Sequence, residues 1–134
     1  VKDVDFGLRQ IQVRDGKGKK DRVTVLSERY LEPLKVHLVR VKEIHHADLA
    51  RGYGGAAFWP SLAAKYPHAP CQWVWQFVFP ASRLSVDSGT GKPVRHHLHK
   101  TAVQRAVTAA AREAGIDKRV TCHTLRHCFA THLL

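Results

Sequence analysis

The segment VTCHTLRHCFATHLL, residues 120–134, brings together side chains that could bind a phosphate and act on it. His123 and Arg126 are three residues apart, so their side chains point the same way in a helix. The first turn of a helix adds free backbone N–H groups and the positive end of the helix dipole. The Arg fork could hold two phosphate oxygens, and the His could donate a hydrogen bond or act as an acid or base.

A metal site is the main alternative for this segment. His123 and His127 have the H-x-x-x-H spacing of zinc-binding helices. However, Thr124 stands where a zinc protease has its Glu, and Arg126 would repel a cation. The sequence therefore favours phosphate over metal, and we expect no metal site. On spacing alone, His127 is at least as readily interpreted as a packing histidine.

Two further clusters could contact nucleic acid. Lys17, Lys19, Lys20 and Arg22 lie in a polar, glycine-containing stretch, where they could follow a DNA backbone or form an ordinary solvated turn. The run RHHLH, residues 95–99, offers Arg95, His96 and His97 for stacking on bases or hydrogen bonding to them. Upstream, Trp75 is a candidate stacking surface, with strand or core packing as the alternative for the neighbouring aromatic residues.

The elements that must position these residues can be predicted from periodicity. Alternation around Ile11 and Val13, and again around Val23 and Val25, predicts a β-hairpin over residues 8–26. The run WQFVF, residues 75–79, predicts a strand, PSLAAKY a short helix, and DSGTGKP a turn. These strands and the helices below predict an α+β fold, mainly helical, with a small antiparallel sheet.

Three longer helices are predicted. The first covers residues 27–50, with Ser27 as a possible cap, glycines at 52, 54 and 55 ending it, and a stripe of apolar side chains at Leu31, Leu34, Leu38, Val41 and Ile44. The second covers residues 98–114 and ends at Gly115. The last covers residues 121–134, starting near Thr121 or His123, with Leu125, Phe129 and Leu133 as its buried stripe.

Composition limits the function classes. The net charge is +11, and residues 92–134 hold eight basic against two acidic residues, a balance that favours a nucleic-acid partner over mere solubility. No run of apolar residues is long enough for a transmembrane helix, and no signal peptide is recognisable. Three cysteines without a C-x-x-C pair are typical of a reducing cytosol.

The motifs carry a family resemblance. HTLRHCFATHLL resembles the second conserved box of tyrosine recombinases, the phage-integrase superfamily, and VKDVDF with VRDGKGKKDRVTVL resembles the strand–turn–strand segment that follows that family's first arginine. The long stretch between them is similar to the extra segment of integron integrases, which we place at about residues 45–97. The resemblance covers essentially the whole chain and implies the central part of a catalytic domain, incomplete at both ends.

The resemblance implies a reaction and assigns residues to it. A tyrosine attacks a DNA phosphodiester and forms a 3′-phosphotyrosyl link, without metal or nucleotide cofactor, and strands are exchanged within a tetramer on DNA in the bacterial cytoplasm. By motif, Lys17 matches the catalytic hairpin lysine, and His123 and Arg126 match the phosphate ligands, with His127 as the neighbouring motif histidine. His96 and His97 match the integron-specific pair, which implies contact with bases flipped out of folded single-stranded sites, besides duplex DNA.

Several expectations follow for this chain. It contains no Met, and its three tyrosines, Tyr30, Tyr53 and Tyr66, precede the second box, whereas the family's nucleophile follows it. We therefore expect an internal fragment that lacks the nucleophile and the first-box arginine and is inactive alone. Two alternatives remain: a non-catalytic basic DNA-binding module, and a phage- or Xer-type recombinase without integron specificity.

Overall fold

The computed structural model describes residues 1–16, 18–53, 55–56 and 60–132. Lys17, Gly54 and Leu133, which figure in the sequence predictions, lie outside the described residues. The chain forms two compact units, Val1–His97 and Leu98–Leu134. The α+β class with small, mainly antiparallel sheets is confirmed, with one parallel strand pair in addition.

The first unit opens with an antiparallel sheet of three strands, β1 (Val4–Asp5), β2 (Gln10–Val13) and β3 (Arg22–Val25), in that order. β2 and β3 form a hairpin in which Ile11 is paired with Thr24. Side chains alternate between the faces of a sheet, so this register turns Val23 and Val25 to the opposite face, where both are exposed. The alternation thus located the strands, while Thr24 is the half-buried position of β3.

Helix α1 (Leu31–Ala50) follows a single 3-10 turn, Glu28–Tyr30. Ser27 precedes that turn but makes no side-chain capping bond, so the predicted Ser27 cap is wrong. The helix ends in a Schellman motif at Gly52 (φ 75°), where Gly52 N donates to Leu49 O at 3.0 Å and Tyr53 N donates to Asp48 O at 2.9 Å.

The buried face of α1 differs from the predicted stripe in its second half. Leu38 and Val41 are buried as predicted, but Ile44 is 41% exposed. Instead His45 and Asp48, four and seven residues after Val41, continue the buried face at 6% and 4% exposure. The physical reason is that both polar side chains have partners in other segments, which compensate for the loss of water.

After β4 (Gly55–Ala56) and the short helix α2 (Pro60–Lys65), the chain makes two 3-10 turns, Ala69–Cys71 and Trp73–Trp75. The predicted strand 75–79 is therefore wrong. Carbonyl groups within and just before residues 75–79 bond to separate segments. Val74 O accepts from Lys2 N at 2.9 Å, and the His37 ring bonds to Val78 O at 2.7 Å. A strand would need neighbouring groups to pair in sequence with one partner.

A second small sheet closes the first unit. β5 (Ser85–Val86) and β6 (Pro93–Arg95) are antiparallel, and β4 pairs with the other side of β6 in parallel. The predicted turn lies between β5 and β6. The Asp87 carboxylate accepts hydrogen bonds from Thr90 Oγ1, Thr90 N and Gly89 N at 2.8, 2.7 and 3.1 Å, and those from Thr90 chiefly hold the Asp87 pKa below its ordinary value.

The second unit contains α3 (Lys100–Glu113) and α4 (Cys122–His132). His99 caps α3, its Nδ1 accepting from Thr101 N at 3.3 Å. The predicted end at Gly115 (φ 66°) is confirmed as a Schellman motif, with Ile116 N bonded to Ala111 O at 3.0 Å. None of the helices in the described part of the chain has the length and apolarity that crossing a bilayer requires.

The predicted buried stripe of α4 is wrong for its described members. Leu125 and Phe129 are 51% and 53% exposed. Within residues 98–132 one other helix is described, and one neighbour covers only one stripe of a helix. The apolar spacing on α4 therefore identifies a face of the helix without showing that this face is covered.

The burial of His45 yields a pH prediction. Burial is the main cause that lowers the pKa of His45 below 6.5, opposed by a backbone hydrogen bond with Cys71. As pH falls below 6.5, the His45 imidazole is protonated in the unfolded chain before it is protonated in the folded chain. The free energy of unfolding therefore decreases until the pH reaches the lower pKa of the folded state. His45→Gln should remove that part of the decrease, at most about 1.4 kcal/mol per pH unit.

Urea unfolding at pH 7.0, 6.0 and 5.0 measures this effect. His68→Gln is the control, since His68 is an exposed histidine of the same unit that is not among the causes of the His45 shift. Equal pH slopes for wild type and His45→Gln would contradict the prediction.

Candidate functional site

The start of α4 is fixed by local hydrogen bonds. Thr121 Oγ1 accepts from Thr124 N at 3.2 Å, and Thr124 Oγ1 accepts from Thr121 N at 3.2 Å. These reciprocal bonds form a capping box with a Thr in place of the usual acidic or amide residue. Thr121 is thus the N-cap, one of the two positions that the sequence left open.

This cap places His123 and Arg126 in the first turns of α4. Both side chains are exposed, and the first intrahelical bond joins Leu125 N to Thr121 O at 3.1 Å. The amides of Cys122 and His123 therefore precede the hydrogen-bonded ladder, at the positive end of the helix dipole. An anion at this end would meet backbone N–H groups, an imidazole and a guanidinium.

His123 and His127 contact each other directly. Their Nε2 atoms are 3.0 Å apart, and the rings meet edge to face with centroids at 4.4 Å. A single N–H⋯N bond requires one ring to donate and the other to accept, so at least one of the two imidazoles is neutral in this arrangement. His127 thus holds the His123 ring and does not pack into a core.

The structure gives no metal cluster at this place. Among residues 1–16, 18–53, 55–56 and 60–132, no group of three or more His, Cys, Asp or Glu side chains is arranged to hold a metal ion. His123 and His127 alone would leave two of the four positions of a tetrahedral zinc site to outside ligands.

The hairpin turn presents its flanking basic residues to solvent. Lys19, Lys20 and Arg22 are all exposed, and Lys19 has a positive φ of 56°. Backbone bonds close the turn, from Gly16 N to Lys20 O at 3.2 Å and from Lys19 N to Gly16 O at 2.9 Å. The predicted catalytic Lys17 lies outside the described residues.

All three guanidinium nitrogens of Arg95 donate hydrogen bonds within the fold. Its guanidinium binds the Asp48 carboxylate through two bonds, Nε to Oδ2 at 2.5 Å and Nη2 to Oδ1 at 2.8 Å, and Nη1 donates to Ala81 O at 2.7 Å. The Arg95 and Asp48 side chains are only 16% and 6% exposed. This pair ties α1 to β6, a structural role that the sequence analysis did not anticipate; base contact by Arg95 remains a prediction.

The predicted histidine pair directly follows this anchor. His96 O accepts from Ala81 N at 2.7 Å, and His97 forms an isolated bridge with Pro80. His97 is exposed, and its ring and that of Phe77 form a T-shaped contact with centroids 5.4 Å apart. The backbone of both histidines is therefore held against residues 80–81, next to the buried ion pair.

Trp75 is half-buried, at the end of the second 3-10 turn. The Lys2 ammonium lies 4.9 Å from its ring centroid, a cation–π contact. Neighbouring Gln76 is buried, and its amide donates to Pro70 O at 2.7 Å and to Gln72 O at 3.0 Å. The segment that carries Trp75 is thus fixed from within.

The structure groups the candidates in two sets. Lys19, Lys20, Arg22, Trp75, Arg95, His96 and His97 belong to the unit 1–97, whereas His123, Arg126 and His127 share one helix of the unit 98–134. Sequence reasoning missed His45 and Asp48. The available signal was their position, since both continue the i+3 and i+4 spacing of the apolar stripe on α1.

Comparison with known proteins now defines the class. Residues 1–134 match the Phage integrase family. Two proteins called integrase/recombinase, from Escherichia coli and Pseudomonas aeruginosa, are each 43% identical to the chain over 134 residues, covering 100% of this chain and 40% of theirs. Tyrosine recombinase XerD of Listeria monocytogenes is 46% identical over 44 residues, 31% of this chain and 15% of that protein.

The chain therefore belongs to the phage integrase family. It spans about 40% of the length of the two integrase/recombinase relatives.

The ion pair on α1 gives a stability prediction. Asp48→Ala leaves the buried Arg95 guanidinium without its counter-charge, which should lower the free energy of unfolding by about 3–5 kcal/mol. Glu43→Ala, on an exposed position of the same helix, should change it by less than about 0.5 kcal/mol. Urea unfolding followed by tryptophan fluorescence compares the two.

A double substitution tests the cause of that loss. Asp48→Leu with Arg95→Met removes both charges and keeps similar volume, so it should recover much of the stability lost in Asp48→Ala. If the double variant were as unstable as Asp48→Ala, the unpaired charge would not be the cause.

Proposed function

We propose that the protein containing this chain is a site-specific DNA recombinase that cleaves and rejoins strands through a 3′-phosphotyrosyl intermediate. The observation that carries the proposal is the capped start of α4, which presents His123 and Arg126 beside free amides in a chain of the phage integrase family. The names of the relatives, integrase/recombinase and tyrosine recombinase, support the same reaction.

In this proposal Arg126 and His123 both bind the scissile phosphate. The Arg126 guanidinium binds two nonbridging oxygens of the scissile phosphate, whose negative charge grows as the nucleophile attacks. His123 donates a hydrogen bond to the same phosphate, and His127 fixes the His123 ring through the 3.0 Å Nε2–Nε2 contact. A donor role requires the His123 proton to lie on the nitrogen that faces the phosphate.

The covalent step balances as an exchange at phosphorus. The tyrosine hydroxyl releases its proton to solvent as its oxygen forms the new bond to phosphorus and the bond to the 5′ oxygen breaks. Lys17 supplies the proton that the leaving 5′ oxygen takes. Tyr30, Tyr53 and Tyr66 all precede His123, so we assign the nucleophile to a residue outside these 134. The 134-residue chain alone is then not expected to form an adduct with DNA.

We further propose that the recombinase is of the integron type and recombines gene cassettes. His96 and His97 are held against residues 80–81 beside the Asp48–Arg95 pair, a rigid support for contacts with flipped-out bases of a folded single strand. A Xer-type recombinase without this specificity is the second candidate, favoured by the 46% identity to XerD over 44 residues.

Substituting Arg126 separates catalysis from binding. In the complete reading frame, Arg126→Lys keeps the charge but loses the planar fork, so DNA cleavage should fall about 10²–10³-fold. Duplex affinity should change little, since the lysine keeps a positive charge next to the same phosphate. Cleavage of a nicked suicide substrate and fluorescence anisotropy measure the two quantities. Equal losses of cleavage and affinity would contradict the proposed role of Arg126.

The histidine pair distinguishes the two recombinase types. Replacing both His96 and His97 by Ala should weaken binding to a folded single-stranded site by about tenfold or more, through lost stacking, while duplex binding changes about twofold. His68→Ala is the control, because His68 is exposed in the same unit. Equal losses on both substrates would favour the Xer-type alternative.

A further inference from the structure

The contact between His123 and His127 has the geometry of a chelating pair. The chain has ten histidines, and these two are the only ones that are four residues apart. Side chains at that spacing lie one above the other on the same face of a helix. Both residues are exposed, and their Nε2 atoms are 3.0 Å apart. An ion in solution can therefore approach both nitrogens at once.

The distance between the two nitrogens indicates which ions fit. A metal ion bound by imidazole lies about 2.0–2.1 Å from the nitrogen. With both Nε2 atoms at that distance and 3.0 Å from each other, the N–metal–N angle is about 91–97°. A tetrahedral ion would hold the nitrogens about 3.3–3.4 Å apart, whereas adjacent ligands of a square-planar ion form an angle of about 90°. The geometry therefore favours nickel(II) or copper(II) over zinc(II).

Such a site has two protein ligands and differs from a resident metal centre. Within the described residues, no third His, Cys, Asp or Glu side chain completes a metal-binding group there. Water molecules would occupy the other positions, so the ion exchanges with solvent and binds less tightly than a structural metal. The Arg126 charge lowers the affinity further, but the residue is exposed, and physiological salt screens exposed charges over about 8 Å.

Chelation also changes the orientation of the His123 ring. In the N–H⋯N bond, one Nε2 directs its hydrogen at the other nitrogen. In a chelate, the lone pairs of both nitrogens converge on an ion that lies beside the line joining them. Each ring must therefore turn, and His123 leaves the orientation that its contact with His127 sets. A displacement of about 1 Å at a reacting group can lower a rate about 10²-fold, so this turn is sufficient to inhibit catalysis.

We propose that His123 and His127 form a reversible binding site for one nickel(II) or copper(II) ion, and that the bound ion inhibits DNA cleavage by the protein containing this chain. The binding of the ion follows from the geometry of the helix. The inhibition rests on the proposed recombinase function and adds a means of regulating it.

Calorimetric titration of the 134-residue chain with nickel(II) chloride tests the binding. Nickel is the probe because the cysteines of the described chain are free and copper(II) oxidises thiols. His123→Gln and His127→Gln should each lower the nickel affinity by about tenfold or more, since the second ligand acts at high effective concentration. His132→Gln is the matched control, an exposed histidine of the same helix, and should change the affinity by about twofold or less.

Two other ions test the assignment to nickel or copper. Magnesium(II) chloride should not bind at the pair, because magnesium prefers oxygen ligands. With zinc(II) chloride, His127→Gln should lower the affinity by a smaller factor than it does with nickel, because the two nitrogens are closer together than a tetrahedral ion requires. An equal or larger loss with zinc would overturn the assignment to nickel or copper.

The inhibition is measured on the complete reading frame with a nicked suicide substrate. Nickel(II) at about ten times its dissociation constant should reduce cleavage about tenfold, since about nine-tenths of the sites are then occupied, and EDTA should restore it. His132→Gln should be inhibited like wild type. The cleavage rate of His127→Gln, compared with its own rate without metal, should change by less than about twofold because the chelate is lost.

The outcomes separate this proposal from the recombinase function. If His132→Gln lowers the nickel affinity as much as His127→Gln does, the metal site is overturned and the recombinase function stands. If nickel binds at the pair and leaves cleavage unchanged, the inhibition is overturned. If the complete protein does not cleave DNA even in the presence of EDTA, the recombinase function fails while the binding of nickel to His123 and His127 stands.

Discussion

The unit 1–97 depends on the ion pair between Asp48 and Arg95. Its strands β4, β5 and β6 are only two or three residues long, too short to be stable through their own backbone bonds. Arg95 connects them to α1 through two bonds to Asp48 and to the preceding loop through Ala81 O. The buried charges have lost much of their hydration, and the bidentate geometry with the added carbonyl offsets that loss.

Polar contacts are needed to stabilise the fold because the apolar core is small. Among the described residues, no large side chain is fully buried, and the buried apolar positions are Leu26, Leu38, Val41, Ala56, Ala69, Val94 and Ala111. The space around Asp48, His45, Gln76 and Arg95 is about 10 Å³, enough for one water at most. The polar cluster therefore acts as packed core, and its hydrogen bonds determine which backbone segments meet.

The features of the fold that could be predicted from sequence are those determined by residues close to them in the chain. Gly115 as a helix end and the helix that starts near Thr121 follow from backbone conformation and capping within a few residues. The errors have long-range causes. Nothing near Asp48 indicates a partner 47 residues away, and nothing in residues 75–79 indicates that Val78 O bonds to the His37 ring on α1. Exposure of Leu125 likewise depends on what packs against α4, which spacing alone does not specify.

The same distinction bears on how the two sets of candidate residues respond to substitution. His123 and Arg126 are positioned by one helix and its own cap, so a side chain there can be exchanged without moving the backbone. His96 and His97 directly follow Arg95, which is bound to Asp48, so we expect a substitution of Asp48 to shift both histidines although Asp48 does not contact them. In the proposed function, the phosphate, which is the same at every DNA site, is bound by residues that one helix positions, and bases are contacted by residues whose position depends on contacts with α1.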